Sequence, residues 1–362
     1  MVRHFIYQKG RSEKFWSIEI GADSKSLNTA QGLGYGEAKS EKQAFESEEL
    51  CTKKIESLVQ TKLKEGYEEV LLAIKDVNPF DLKIVADAKK QKGERLSVSV
   101  HGSSELLEEI CSFDWLKHLE LRDLTTLSDS LGNLKNLDHL EIKESGSLES
   151  IPESIGKLQT LTWLSIKYTA IDSLPHSIGS LSNLKRLNVQ HNPKLKGLPE
   201  SIGSLRSLRT LSISYNRDDH EPGDKKKNLN PFYIPDSIGD LENLKEFNTT
   251  KNDLSDLPKP MGRLKKLIKL DLSFNPFITI PECVFEMEDL ETLDMAYCNL
   301  SEIPEGFAKL ANLSHFDFEG SRVKNVPSDV LYAGVETIQK FLNKTPDKKQ
   351  KKYLLPTRAN LR

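Results

Sequence analysis

Residues 161–183 run LTWLSIKYTAIDSLPHSIGSLSN, and residues 184–207 run LKRLNVQHNPKLKGLPESIGSLRS. Superposed, they share L-x-x-L-x-[I/V] at the front, Leu-Pro in the middle and S-I-G-S-L behind. Extending this phase in both directions gives nine units, beginning at Leu116, Leu137, Leu161, Leu184, Leu208, Leu244, Leu267, Leu290 and Leu313. The intervals are 21, 24, 23, 24, 36, 23, 23 and 23 residues, the 36 being 23 plus a 13-residue insertion. Pro152, Pro175, Pro199, Pro235, Pro258, Pro281, Pro304 and Pro327 fall at one phase. A fixed period of this length is the mark of a stacked-coil architecture, because one unit cannot bury its own apolar face whereas stacked units share a core.

Each part of the unit has a physical task. The alternating pairs Leu119/Leu121, Leu164/Ile166, Leu187/Val189, Leu211/Ile213 and Leu270/Leu272 predict a short strand with one buried face. The next inward position is polar, Asn192, Asn216, Asn252 and Asn275, with Thr169, Cys298 and Ser321 replacing it elsewhere. An amide there can satisfy backbone groups of the neighbouring coil. Proline then closes the strand side, since it donates nothing to a ladder. The Ile-Gly-x-Leu stretch predicts a turn or 3₁₀ segment.

This pattern resembles leucine-rich repeats of the 23-residue class common in bacteria and plants, over about Leu116 to Val335. The resemblance implies a parallel sheet lining the inside of a curved solenoid, an α/β fold class. The expected organisation is an N-terminal α+β module at 1–78, a linker at 79–94, an N-terminal cap at 95–115, nine repeats at 116–328, a capping helix at 329–345 and a basic tail at 346–362. Leu96, Val98 and Val100 alternate, and Ser103–Phe113 is amphipathic, which suits the first cap. Val330, Leu331, Val335, Ile338, Phe341 and Leu342 give the second cap one apolar helical face.

In the module at 1–78, Val2–Tyr7 and Phe15–Ile20 predict strands, and Ser47–Leu63 predicts a helix with Cys51, Ile55, Leu58, Val59 and Leu63 on one side. Gly32, Gly34 and Gly36 predict a tight irregular stretch. The order of strands, glycine-rich turn, helix and Lys62-x-Lys64-x-Gly66-Tyr67 resembles the WGR domain of bacterial proteins and poly(ADP-ribose) polymerases. That family's Trp-Gly-Arg, small apolar, Gly signature corresponds to Ala30-Gln31-Gly32-Leu33-Gly34, so the tryptophan and arginine are absent. The resemblance carries the fold and a bacterial source; the nucleic-acid contact implicated in the polymerases has lost its stacking and phosphate-binding groups here.

The chain of 362 residues has 37% hydrophobic and 29% charged residues, a net charge of −3 and a pI near 6.3. That balance is globular, and it argues against a dedicated nucleic-acid binder. The start, MVRHFIYQKGR, has no apolar run or cleavage site, and the longest apolar run, Val70–Ile74, is too short to span a bilayer. A cytoplasmic protein is expected, with signal-less export as an effector the alternative. Cys51, Cys111, Cys283 and Cys298 form no metal spacing. No phosphate loop, nucleophile elbow or HExxH is present, so neither enzyme chemistry nor a cofactor is expected.

The repeat phase names the candidate partner-binding side chains. Immediately before the asparagine position stand Asp123, Glu144, Tyr168, His191, Tyr215, Lys251, Phe274, Tyr297 and Gly320. Aligned exposed rings are typical anchors of a protein interface. Trp163 and Arg186 lie at another solvent-facing column. A further column ends in Asp271, Asp294 and Asp317, one strand spacing apart, where like charges call for a basic partner or internal compensation. His118 and His139 occupy equivalent positions beside Glu120 and Glu141, a ligand set of the kind that holds divalent ions, although surface histidines more often hold none. The expected function is a non-enzymatic scaffold that binds another protein on the concave face; the alternative is a nucleic-acid-associated adaptor acting through the WGR-like module or the basic tail.

Overall fold

The computed structural model describes residues 2–9, 12–70, 72, 74, 77–216 and 232–344; residues 217–231, most of the stretch 217–233 that holds the insertion, and the basic tail lie outside them. The chain divides into two compact units, Met1–Ser147 and Leu148–Arg362.

In the first unit an antiparallel sheet has the order β4-β3-β2-β1-β5. The strands are β1 (Val2–Lys9), β2 (Ser12–Ile20), β3 (Ser26–Leu33), β4 (Lys39–Ala44) and β5 (Glu68–Val70). Helix α1 (Glu48–Lys64) starts at Ser47, whose hydroxyl accepts the Leu50 N–H at 3.3 Å. Phe5, Trp16, Ile18 and Leu27 from the sheet and Cys51, Ile55 and Val59 from α1 make one core. Of the glycines expected in a tight irregular stretch, Gly34 and Gly36 lie in a turn, whereas Gly32 is in strand β3. Gly32 lies opposite Phe15 in the β2–β3 pairing, and a Cβ there would stand 2.6 Å from the Phe15 ring. Glycine makes room for an aromatic ring across the ladder; the left-handed turn begins only at Gly34 (φ +50°).

The expected linker at 79–94 is largely helix α2 (Pro79–Gln91). Pro79 begins it, because a proline in the first turn lacks only an N–H that would have no helical partner. Asn78 Oδ1 accepts the Phe80 N–H at 2.9 Å, and Phe80, Leu82 and Val85 are buried. β6 (Arg95–Ser99), α3 (Ser104–Cys111), β7 (His118–Arg122) and β8 (His139–Lys143) complete the unit. β6, β7 and β8 pair in parallel, Leu96 opposite Leu119 and Leu119 opposite Leu140.

The second unit holds seven parallel strands: β9 (Trp163–Lys167), β10 (Arg186–Gln190), β11 (Thr210–Ser212), β12 (Glu246–Asn248), β13 (Lys269–Asp271), β14 (Thr292–Asp294) and β15 (His315–Asp317). Their register sets Leu164, Leu187, Leu211, Phe247, Leu270, Leu293 and Phe316 in one row, all buried. The Ile-Gly-x-Leu stretches are 3₁₀ turns, such as His176–Ser180, Glu200–Ser204 and Asp236–Asp240.

A buried asparagine ladder ties these coils together. Asn192 N–H donates to Asn216 Oδ1 (3.0 Å), Asn216 N–H to Asn252 Oδ1 (3.1 Å) and Asn252 N–H to Asn275 Oδ1 (2.9 Å). Each Nδ2 donates to carbonyls within the bend, Asn216 to Val189 (2.9 Å) and Ile213 (2.6 Å). Where the ladder breaks, Thr169 gives its N–H and hydroxyl to Asn192 Oδ1, and Cys298 Sγ reaches the Leu272 carbonyl at 3.4 Å. The predicted capping helix is two helices, α4 (Ser328–Leu331) and α5 (Val335–Asn343), separated by Gly334 at φ +99°, a conformation that ends a right-handed helix. All four cysteines are free and buried, and burial pushes the Cys283 thiol up to about 12.

Candidate functional site

Every residue of the ring column has left-handed backbone. In the second unit φ is +54° at Tyr168, +55° at His191, +58° at Tyr215, +60° at Lys251, +56° at Phe274 and +54° at Tyr297, and Gly320 follows at +78°. The chain leaves each strand through this residue before the asparagine turns inward. The turn points the side chain away from the core: Tyr168, Phe274 and Tyr297 are about half exposed and Tyr215 is 39% exposed.

These side chains meet as stacked plates. Tyr168 and His191 have ring centroids 4.5 Å apart at 13°, and His191 and Tyr215 are 4.8 Å apart at 12°. Lys251 Nζ lies 5.6 Å from the Tyr215 centroid, within cation–π range. Phe274 and Tyr297 stack at 4.7 Å and 19°. The Tyr297 hydroxyl donates to Glu319 at 2.8 Å, which raises its pKa. Glycine ends the pile, since a Cβ at position 320 would come within 2.9 Å of the Tyr297 ring.

Trp163 and Arg186 are register partners at the opposite end of their strands from the rings. Five residues of strand, about 16 Å, separate Trp163 from Tyr168, so the tryptophan is not part of the stack. Asp271, Asp294 and Asp317 are register neighbours as expected, and their carboxylates already hold the backbone. Asp271 Oδ1 accepts the Ser273 N–H, Asp294 Oδ1 the Ala296 N–H and Asp317 Oδ1 the Glu319 N–H, at 3.0, 3.0 and 2.9 Å. The Ser273 hydroxyl bonds to both Asp271 and Asp294, and Asn248 Nδ2 donates to Asp271 Oδ2 at 3.0 Å. These internal donors supply the compensation that three adjacent carboxylates need.

In the first unit the His118 and His139 rings stack at 4.4 Å, with Asp138 2.8 Å from His139 Nδ1. Ligand atoms of His118, Asp138 and His139 lie within 4.8 Å of one another, so these three could hold a metal ion. Burial first, then the neighbouring His139 and Arg95, lower the His118 pKa. Arg95 is the register partner of His118 and opposes a cation there.

Residues 95–231 match the model for a leucine-rich repeat region, and residues 289–310 match the leucine-rich repeat itself. Over these residues the chain carries leucine-rich repeats. Its fold is similar to a leucine-rich repeat protein of Leptospira interrogans, at 25% identity and a TM-score of 0.56, over 69% of this chain and 65% of that one. It is also similar to the leucine-rich repeat domain of the type III effector XopL, at 22% identity and a TM-score of 0.50, over 68% and 76% of the two chains. A stretch of 69 residues, 19% of the chain, is 36% identical to the uncharacterized Escherichia coli protein YfeS and spans 28% of its length. Leucine-rich repeat proteins generally mediate protein–protein interaction, and the fold is typically a non-enzymatic scaffold. Among the described residues no helix is long and apolar enough to cross a membrane.

Proposed function

We propose that this chain is a non-enzymatic interaction scaffold, and that a protein partner seats on the solvent-facing side of β9–β15 against Tyr168, His191, Tyr215, Lys251, Phe274 and Tyr297. One observation carries this reading: large rings stand exposed and stacked at positions whose left-handed backbone favours glycine or asparagine. Non-glycine residues in that conformation cost of order 1 kcal/mol each, and exposed aromatic rings forgo burial. A surface that keeps the first cost along six consecutive coils and a ring on five of them is suited to a partner that covers the rings. Trp163, Arg186, Asp271, Asp294 and Asp317 would lie under the same partner and set its orientation.

We assign residues 1–78 a WGR-like fold on the antiparallel sheet with one packed helix. In its signature stretch Ala30 and Gly32 lie within β3. A cytoplasmic setting agrees with four free cysteines. The test is affinity capture from the source organism with the wild-type chain and with Y168A/Y215A/F274A/Y297A. The partner should be retained by the first and lost by the second, with equal circular dichroism. Equal recovery by both would reject this surface.

A further inference from the structure

Lys185, Arg209 and Lys245 each stand immediately before a strand, β10, β11 and β12. Arg186 pairs with Thr210 and Thr210 with Glu246, which makes the three cations neighbours at about one strand spacing, about 4.8 Å. Their carbonyls lock this arrangement. Lys185 O accepts the N–H groups of Arg209 (2.8 Å) and Thr210 (3.1 Å), and Arg209 O accepts those of Lys245 (2.8 Å) and Glu246 (3.0 Å). Lys266 joins them, donating to Asn243 Oδ1 at 2.8 Å. The four cations, with Ser207 and Asn243, line a hollow of about 450 Å³ that has no carboxylate in its wall.

Adjacent like charges repel, and several cations on other coils stand against an acid: Lys117 with Glu94, Lys196 with Asp172, Arg206 with Glu242, Arg263 with Asp240 and Lys265 with Glu288. Net charge does not explain four adjacent cations, since the chain carries −3. The nearest acid in sequence, Glu246, is exposed and has Lys269 as its register partner. At the same repeat phase the next coils carry Ile268, Glu291 and Ser314, so the cationic run is confined to three coils.

We propose that this hollow receives an acidic segment of the protein partner, a stretch of neighbouring Asp or Glu side chains laid across β10–β12. The proposal rests on the reading that a protein covers this sheet face. Alternate residues of an extended peptide are about 6.6 Å apart, so two carboxylates of one stretch reach cations that span two strand spacings. No ring lines the hollow for a base to stack on. Asp271, Asp294 and Asp317 on the following coils repel a polyphosphate chain continuing along the sheet. A short acidic segment fits both limits.

The experiment is fluorescence anisotropy of a labelled hexaglutamate peptide with the full chain, beside hexaglutamine and a single-stranded oligothymidine. Hexaglutamate should bind, weaken with added salt, and lose at least about tenfold in affinity in K185E/R209E/K245E, as expected when several charge contacts are reversed. K259E, an exposed charge reversal on a 3₁₀ turn, and Y215A/F274A should leave it unchanged. Failure of the ring surface therefore shows in the capture experiment alone. No binding of hexaglutamate, equal binding by the triple variant, or tighter binding of oligothymidine would each overturn the proposal. The milder K185Q/R209Q/K245Q keeps it testable if charge reversal unfolds the coils, and undiminished binding there overturns it too.

Discussion

Asn216 and Phe274 occupy successive phases of the repeat and serve opposite ends. Asn216 is fully buried, and its amide joins three backbone groups, Asn192 N–H and the Val189 and Ile213 carbonyls. N216A takes this partner from the Asn192 N–H and the Val189 carbonyl, while the Ile213 carbonyl keeps Asn252 Nδ2, and each buried orphan costs about 1–3 kcal/mol. A loss of about 3 kcal/mol is expected, measured as a shift in the urea midpoint. F274G removes a stacked pair worth about 1 kcal/mol. It also relieves left-handed strain of similar size, against a glycine entropy cost of about 0.5–1 kcal/mol. Its stability should stay within about 1 kcal/mol of wild type, while partner capture weakens. Equal destabilisation by the two variants would mean that the rings hold the fold and are not kept for a partner. Which side chains face outward was legible in the sequence, because nine copies report each phase. Their left-handed backbone was not, because rings at that phase carry no turn signature.

In β12–β15 strand length goes with the side chain at the strand's end. β7–β10 run five residues with Glu120, Glu141, Ser165 and Asn188 in the middle, whereas β12–β15 stop after three, at Asn248, Asp271, Asp294 and Asp317. In the short strands that side chain accepts the N–H two residues on, a local bond that competes with the ladder. Asn188 makes no such bond, so residue type alone does not decide where a strand stops. If the role of Asp294 is this acceptor and not its charge, D294N should be close to wild type in urea unfolding. D294V should lose about 1–2 kcal/mol, because the Ala296 N–H loses its partner and the Ser273 hydroxyl keeps only Asp271. Equal losses would assign the effect to charge. The same limit on local reading explains the N-terminal module. β3, β4, β5 and α2 occur once each, with no second copy to reveal the phase, and their cues are tertiary: a glycine fitted to Phe15 and a proline that starts a helix where a linker was expected.

At the scale of the chain, the two units should respond differently to acid. His4 is buried in the first unit; it lies 2.8 Å from the Ser17 hydroxyl and 2.7 Å from the Ile74 carbonyl. Burial lowers its pKa, outweighing the carbonyl, and burial with nearby positive charge lowers that of His118. A histidine whose folded pKa is depressed binds its proton more readily when unfolded. The stability it contributes is present above its ordinary pKa of about 6.5 and is lost as pH falls through the folded value. Asp81 acts in the opposite sense: burial raises its pKa, so the stability it adds is present in acid and is lost as pH rises through that value. In the second unit the shifted carboxylates, Glu153, Asp172 and Glu336, are depressed by hydrogen bonds from Ser177, Lys196 and Lys340. Their contribution is lost only below the ordinary carboxylate range of about 4. Between about pH 7 and pH 5.5, protection should therefore fall in β1 and β7 and hold in β9–β15, read by hydrogen exchange with mass spectrometry corrected for intrinsic rates. H4Q, whose amide can still donate to the Ile74 carbonyl, should flatten the response of β1 and leave that of β7. Equal loss in both units, or an H4Q profile identical to wild type, would place the acid-sensitive groups elsewhere.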